Sequence, residues 1–343
     1  MSEQPKKSAV LAKHPLEFQW PTMDPFLFCA HHQDAFPAGN EHGGPNASLA
    51  GRNMGQDFAG VDGWNMYHGS KIPGFPGHPH RGFETVTVVR QGLVDHADSL
   101  GAAGRYGNGD VQWMTAGKGV QHSEMFPLVN KDKPNPLHLL QIWLNLPAAS
   151  KMVDPYFTMF WDENVPRLGG EEAGVGEGVS IEVIAGACNK AQPQSPPPCS
   201  WAANPENHVW IWVITLKPGA FWQIPASEAG LNRMLYFFRG KDLTLDAEDY
   251  SVNTGLQLDS SKALPLVNGD TESQLLLLQG RPINEPVAHY GPFVMNTREE
   301  LQTTFEEYQR TQFGGWPWPG NEPIHEQQGR FARYADGREE KPS

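Results

Sequence analysis

The sequence of 343 residues contains only three cysteines, Cys29, Cys188 and Cys199. They form no Cys-x-x-Cys pair, and this excludes a zinc cage built from thiolates. So few cysteines at unrelated spacings are typical of a reducing compartment. A bridge between Cys188 and Cys199 remains possible.

Long apolar runs and an excess of basic residues are also missing. The first twenty residues contain no apolar core of about seven residues, which a secretory signal needs. No later segment approaches the roughly eighteen apolar residues that span a bilayer. The formal net charge of −13 disfavours binding to the phosphate backbone of nucleic acids. We therefore predict a soluble, cytoplasmic protein that contacts neither DNA nor membranes directly.

Glycine and proline, by contrast, are abundant, with 36 and 30 residues. They divide the chain into short segments rich in Val, Thr, Leu and aromatic residues, a pattern that predicts an all-β fold. Spacings near ten residues favour a sandwich or a barrel. The candidate strands are Glu84–Val89, Asp110–Thr115, Leu137–Leu146, Ile181–Ala185, Val209–Leu216, Met234–Phe238, Leu243–Leu245 and Gln274–Gln279.

One segment, 297-TREELQTTFEEYQRTQF-313, has the pattern of an amphipathic helix. Thr297 can cap the first turn together with Glu300, three residues on. We expect this helix to pack across a barrel end. The polar tail from about Gly314 onward resembles an extended arm or a partly ordered end, and residues 38–63 form a polar, glycine-rich stretch that resembles an insertion.

Two histidines stand one residue apart in 78-HPHRGFETVTVV-89. Side chains alternate along a strand, so His78 and His80 point to the same face with Cα atoms roughly 7 Å apart. Such a pair can hold one ion. Pro79 fits equally well with an exposed edge strand that carries solvated histidines.

A second pair of this kind occurs in 117-GKGVQHSEMF-126, where His122 and Glu124 also share a face. Each pair alone is compatible with an exposed polar strand. If the two strands are adjacent and antiparallel in one barrel, however, three imidazoles and one carboxylate meet at a common centre. The two pairs together therefore predict a metal site.

The stretches GFPGHPHRGFETVT and GDVQWMTAGKGVQHSEM resemble the signature of the pirin family, bicupins of the cupin superfamily. The likeness recurs at 24-DPFLF-28, 161-WDENVPR-167 and 288-AHYGPFVMNT-297 and so spans nearly the whole chain. The resemblance implies two tandem antiparallel β-barrels. We place the metal-binding barrel at residues 1–152, the C-terminal barrel at 153–312 and a tail at 313–343.

The resemblance also implies one non-haem iron in the N-terminal barrel, bound by residues that match His78, His80, His122 and Glu124. The ligand types alone suit Fe(II), Mn(II), Ni(II) or Zn(II), and the family tips the choice to Fe(II). In the C-terminal half the positions of the first pair correspond to Ala226 and Glu228. We therefore expect that half to carry no metal.

Two functions follow from the resemblance, and the sequence does not separate them. The first is a quercetin 2,3-dioxygenase, which opens the flavonol ring with dioxygen and releases carbon monoxide, with Glu124 as general base for the substrate hydroxyl. The second is an iron-dependent regulator that binds a transcription factor or a metabolic enzyme. A zinc-dependent isomerase is a weaker third.

Further residues near the motifs are candidates for supporting roles, although ordinary packing explains each of them as well. His96 and Glu84 are candidates for orienting the metal ligands through hydrogen bonds. Phe83, Trp113, Met125 and Phe126 are candidate walls of an apolar pocket for a flat polyphenol.

Overall fold

The computed structural model describes residues 8–170, 174–325 and 329–342, and strands predominate in these ranges. The first strands are β1 (Val10–Pro15), β2 (Gln19–Trp20), β3 (Phe26–Asp34), β4 (Gly74–His80), β5 (Phe83–Gln91), β6 (Leu93–Asp98), β7 (Ala103–Gly107), β8 (Val111–Thr115), β9 (Val120–Met125), β10 (Leu137–Asn145) and β11 (Tyr156–Phe160).

The second half continues with β12 (Arg167–Gly170), β13 (Gly176–Ala185), β14 (Trp210–Leu216), β15 (Phe221–Ile224), β16 (Asn232–Arg239), β17 (Asp242–Leu245), β18 (Glu248–Ser251), β19 (Thr254–Leu258), β20 (Leu264–Asn268), β21 (Ser273–Gly280), β22 (Ala288–Tyr290), β23 (Phe293–Met295), β24 (Phe331–Arg333) and β25 (Glu339–Glu340). One α-helix, α1 (Arg298–Thr311), precedes β24. Short 3₁₀ turns lie at Val61–Gly63, Ala148–Ser150, Asp162–Asn164, Trp201–Ala203, Pro205–Asn207 and Gln312–Gly314. The prediction of an all-β chain with one C-terminal helix is thus confirmed.

The chain forms two compact units. Of the described residues, those from 30 to 163 and from 285 onward form one unit, which we call the histidine unit because it contains the histidines of both motifs. Those up to 29 and from 164 to 284 form the second unit. The sequence-based domain boundaries, after residues 152 and 312, differ from the limits of these units. They stay predictions.

Two antiparallel sheets carry the histidine unit. One has the strand order β25-β24-β7-β6-β9-β4, and the other contains the order β11-β8-β5-β10-β3. These are open sheets, as in a jelly roll, where the sequence suggested closed barrels. Inward-facing Val, Leu, Met and aromatic side chains fill the space with a buried core that includes Val89, Tyr106, Met114 and Phe157.

The second unit repeats this plan with the sheet β1-β19-β16-β21-β14-β13-β12 and the smaller sheet β15-β20-β17-β18. Its core is rich in Leu, Ile, Val and Trp. The strand β1 pairs with β19, so that Lys13 lies opposite Leu256. Residues near the start of the chain therefore complete the second unit, a long-range pairing that no local pattern predicts.

The helix α1 begins at the predicted cap. The Thr297 hydroxyl accepts from the Glu300 backbone N–H, and the Glu300 side chain accepts from the Thr297 backbone N–H. The helix lies in the histidine unit, where the buried Arg81 reaches it: its guanidinium donates to Thr304 Oγ1 and pairs with Glu307 at 2.8 Å. The helix thereby holds the residue that follows His80.

The C-terminal tail takes part in the fold. Strand β24 pairs with β7, with Phe331 opposite Arg105, and β25 extends the same sheet. Upstream, Trp318 Nε1 donates to the backbone oxygen of Asp98 at 2.8 Å. The sequence predicted an extended arm or a partly ordered end, and residues 331–333 are an extended strand that backbone hydrogen bonds to β7 hold in the sheet.

None of the helices in the described ranges is long and apolar enough to cross a membrane. The three cysteines are free thiols, so that Cys188 and Cys199 form no bridge.

The glycine-rich stretch 38–63 contains a buried ion pair between Arg52 and Asp57 at 2.8 Å, with both side chains about 1% exposed. The guanidinium also donates to the backbone oxygens of Trp64 and Val61 and stacks on the Trp64 ring. Buried contacts of Arg52 therefore hold this stretch in place.

We expect Arg52→Met to lower the free energy of unfolding by about 3 kcal/mol, because it leaves the Asp57 carboxylate buried without its counter-ion. Urea denaturation followed by tryptophan fluorescence measures the change. Lys131→Met is the control, since Lys131 and Glu41 form an exposed pair and such pairs contribute little. Equal stability of both variants and the unaltered protein would contradict the prediction.

Candidate metal centre

Three histidines of the two motifs meet on one face of a sheet. Strands β4 and β9 are antiparallel neighbours, and His78 lies directly opposite His122 in their register. The ring centroids of His78 and His122 are 4.5 Å apart, and those of His80 and His122 are 4.9 Å apart. Ligand nitrogens of all three lie within 4.8 Å of one another. The predicted adjacency of the two motif strands is therefore confirmed.

Backbone carbonyls orient two of these rings. His78 Nδ1 lies 2.8 Å from the backbone oxygen of Pro76, and His80 Nδ1 lies 3.4 Å from that of Pro292. A carbonyl oxygen only accepts, so each Nδ1 must carry the proton. The lone pair of each ring is then on Nε2, the arrangement found in histidines that bind a metal.

His122 provides the test of whether a metal fits. Both of its ring nitrogens are buried, and neither has a hydrogen-bond partner within the described part of the chain. Buried polar atoms without a partner are rare, and a bound ion is one explanation for them. Burial lowers the pKa of His78 to about 4, and it lowers the pKa values of His80 and His122 well below the usual value. All three rings are therefore neutral and able to bind a cation.

The carboxylate of Glu124 lies beside the cluster, with Oε2 3.8 Å from His122 Nε2. Two neutral side chains hold it: Thr87 Oγ1 donates to Oε1 at 3.1 Å, and Gln141 Nε2 donates to Oε2 at 2.8 Å. Burial raises the pKa of Glu124, while the hydrogen bonds from Gln141 and Thr87 oppose this rise. A buried carboxylate with a raised pKa is a better proton acceptor than an exposed one.

The three histidines thus form a cluster that could hold a metal ion. Imidazole ligands suit several first-row metals, including iron, nickel and zinc. Glu124 approaches one of the three rings, and its role as the fourth ligand stays a prediction.

Of the two residues predicted to support the metal ligands, His96 and Glu84, the structure brings one to the site. His96 is buried opposite Glu124 in the β6–β9 register, 5.6 Å from the His122 ring, and its Nε2 lies 3.3 Å from Asp98 Oδ2. Glu84 occupies the face of β5 opposite to that of Thr87, and it accepts from Thr115 Oγ1 at 2.6 Å. The interpretation of Glu84 as a partner of the metal ligands is therefore not supported by its position.

Of the candidate apolar wall residues, one lies at the cluster and others point away from it. Phe83 packs beside His80, with ring centroids 5.0 Å apart. Trp113 lies opposite Val86 and packs on Phe160, on the face of β8 that points away from the cluster. Met125 alternates with Glu124 and also points away.

Phe126, the fourth candidate wall, belongs to the buried core, against Phe36, Tyr67 and Phe75. It contributes to packing of the unit, and the cavity that it lines, with Phe36, Leu128 and Leu137, does not include the histidine cluster.

Sequence reasoning missed three residues of the site: Thr87, Gln141 and Trp143. The Trp143 ring lies 5.3 Å from that of His80 and 4.3 Å from that of Phe83. Gln141 and Trp143 are two residues apart on one predicted strand, so that the face they share was available from the sequence. The sequence did not show that β5 and β10, in the other sheet of the unit, bring these side chains to the histidine cluster, because the arrangement of strands depends on long-range pairing.

Two protein-family models match the sequence of this chain. The family model described as Pirin matches residues 12–144, and the model described as Pirin C-terminal cupin domain matches residues 211–314. The two matches cover the cluster, Glu124 and most of the second unit. They end before the tail that pairs with β7.

Individual proteins that are similar to this chain are named as pirin-like proteins or as quercetin dioxygenases. A pirin-like protein of Solanum lycopersicum is 36% identical over 245 residues, which cover 70% of this chain and 77% of that protein. A Pseudomonas aeruginosa protein, provisionally named a quercetin 2,3-dioxygenase, is 36% identical over 239 residues, covering 69% and 78%. The crystal structure of a quercetin 2,3-dioxygenase from Acinetobacter baumannii superposes with a TM-score of 0.69 at 25% identity and covers 89% of this chain and 98% of that one.

Proposed function

The chain belongs to the pirin family and contains its two cupin domains, and on that premise we propose that it is an Fe(II)-dependent flavonol 2,3-dioxygenase that acts on quercetin-like polyphenols. The observation that carries the proposal is the cluster of His78, His80 and His122, in which the last two rings are buried, with the oriented carboxylate of Glu124 beside it. The names of two relatives support the substrate class.

One iron per chain, held by the three histidines and Glu124, would supply the redox chemistry that joins dioxygen to an organic substrate. Mn(II), Ni(II) and Zn(II) suit the same ligand types, and Fe(II) is proposed from the family. The neutral state of the three imidazoles favours binding of any of these cations, because no proton has to be displaced from the binding nitrogens.

Glu124 would act as general base. Its carboxylate accepts the proton of the flavonol 3-hydroxyl and leaves an electron-rich enolate for reaction with dioxygen. Burial supports this role because it raises the pKa of Glu124. The hydrogen bonds from Thr87 and Gln141 support it further by fixing both carboxylate oxygens before the substrate arrives.

Two aromatic side chains lie next to the metal-binding cluster, at His80. Phe83 and Trp143 pack against each other and against His80. Trp143 is partly exposed, whereas Phe83 is buried. A flat polyphenol can lie against such a surface, where it excludes water from the reacting carbon atoms.

Anaerobic reconstitution tests the proposal. The purified protein is loaded with Fe(II), its iron content is measured, and air is admitted with a panel of flavonols. We expect about one equivalent of iron per chain, followed by oxygen consumption and release of carbon monoxide with at least one flavonol. Stoichiometric iron without turnover of any flavonol would overturn the dioxygenase proposal. The regulatory alternative, with its protein partner, rests on the family resemblance alone.

A further inference from the structure

Gln141 contacts the proposed base and is itself partly exposed to solvent. It lies on β10 directly opposite Thr87 of β5, and both side chains donate to Glu124. Their surroundings differ. Thr87 is 1% exposed, whereas Gln141 is partly exposed, as is Trp143 two residues further along the same strand.

The hydrogen bond to Glu124 fixes which way the amide of Gln141 points. An ionised carboxylate only accepts hydrogen bonds, so the NH₂ group must face Oε2 of Glu124. The carbonyl oxygen of the amide then points away from Glu124. Because residues two apart on a strand share a face, this oxygen lies on the same side of β10 as the Trp143 ring.

We propose that Gln141 determines substrate specificity: its carbonyl oxygen accepts a hydrogen bond from one hydroxyl group of the polyphenol, while its NH₂ group holds the base. This inference rests on the proposed function for the substrate class. One side chain would then both bind a hydroxyl group of the substrate and orient the base that deprotonates the same substrate. A substrate hydroxyl in this place completes the hydrogen bonding of the amide, and an analogue without that hydroxyl leaves the acceptor unpaired.

A double-mutant cycle between protein and ligand tests the proposal. The dissociation constant of the Fe(II)-loaded protein is measured without oxygen for quercetin and for analogues that each lack one hydroxyl. We expect one analogue to bind the unaltered protein about tenfold more weakly than quercetin, the effect of one lost hydrogen bond. Gln141→Leu should bind quercetin and that analogue equally well.

Two further variants separate this effect from the support of Glu124. Thr87→Val removes a hydrogen bond to Glu124 from a buried side chain, and it should lower turnover while preserving the tenfold preference for the hydroxyl. Thr115→Val is the matched control, because it removes a buried threonine–glutamate hydrogen bond of the same kind from the opposite face of the sheet. It should preserve both the preference and the iron content.

The same measurements distinguish the two proposals. If Gln141→Leu keeps the tenfold preference, or if Thr87→Val loses it as fully as Gln141→Leu does, the role of Gln141 in specificity is refuted, whatever the turnover. If the preference depends on Gln141 but no flavonol is turned over in air, the dioxygenase proposal fails and Gln141 remains a residue that recognises the hydroxyl. Absence of flavonol binding to the unaltered, iron-loaded protein would refute both.

Discussion

The His122→Ala variant is expected to bind Fe(II) more than about 100-fold more weakly than the unaltered protein. The His122 ring is fully buried and lies within 5 Å of the rings of both His78 and His80, so its loss leaves two imidazoles that cannot enclose an ion. Loss of residues that merely support a metal ligand already costs about 10- to 100-fold in affinity, and loss of a ligand must cost more.

Equilibrium dialysis under anaerobic conditions, followed by elemental analysis, measures this change. His138→Ala is the control, because His138 is a buried histidine on β10 that lies outside the cluster, against His31. Circular dichroism shows whether each variant keeps its strand content. A folded His122→Ala protein that binds Fe(II) as tightly as the unaltered protein would contradict the assignment of the cluster as the metal centre.

The Glu124→Gln variant should lose flavonol turnover by about 10² or more, the typical contribution of a positioned general base. The amide is nearly isosteric with the carboxylate, so the fold should be unchanged. The three histidines remain and should hold part of the iron. Thr87 and Gln141 donate to different oxygens of the carboxylate, and glutamine replaces one of these oxygens with an NH₂ group that only donates, so that the variant cannot accept at both positions. The variant loses the proton acceptor and its fixed orientation together.

Iron content and oxygen consumption must be measured in the same samples, because loss of iron alone would mimic loss of the base. Glu84→Gln is the matched control. Glu84 is also a buried carboxylate on the strands that flank the site, and it accepts from Thr115, but it faces the other way. Full turnover in iron-loaded Glu124→Gln protein would remove Glu124 as the base.

Much of the local structure follows from the order of residues alone. The eight candidate strands all occur, since alternating or continuous apolar runs bounded by glycine and proline specify extended backbone. Helix α1 occurs with its capping box because Thr297 and Glu300 stand at the required spacing. The shared face of His78 and His80 depends only on the two-residue period of a strand.

The order of residues does not show which strands become neighbours in a sheet. The pairing of β1 with β19 joins residues 10–15 to residues 254–258, and the pairing of β24 with β7 brings the tail into the histidine unit. Neither pairing has a signature in the local pattern, because many strands present similar edges and the choice among them depends on packing of the whole unit.

The sequence by itself determined the two histidine motifs, the face that each presents and, from the two motifs together, the prediction of a metal site. The tertiary structure decided that His78 lies opposite His122 and that Thr87 and Gln141 both reach Glu124. It also turned Glu84 and Trp113 away from the site. The physical reason is that side-chain alternation is local, whereas the register between strands is set by non-local pairing, and a shift of one residue reverses every face.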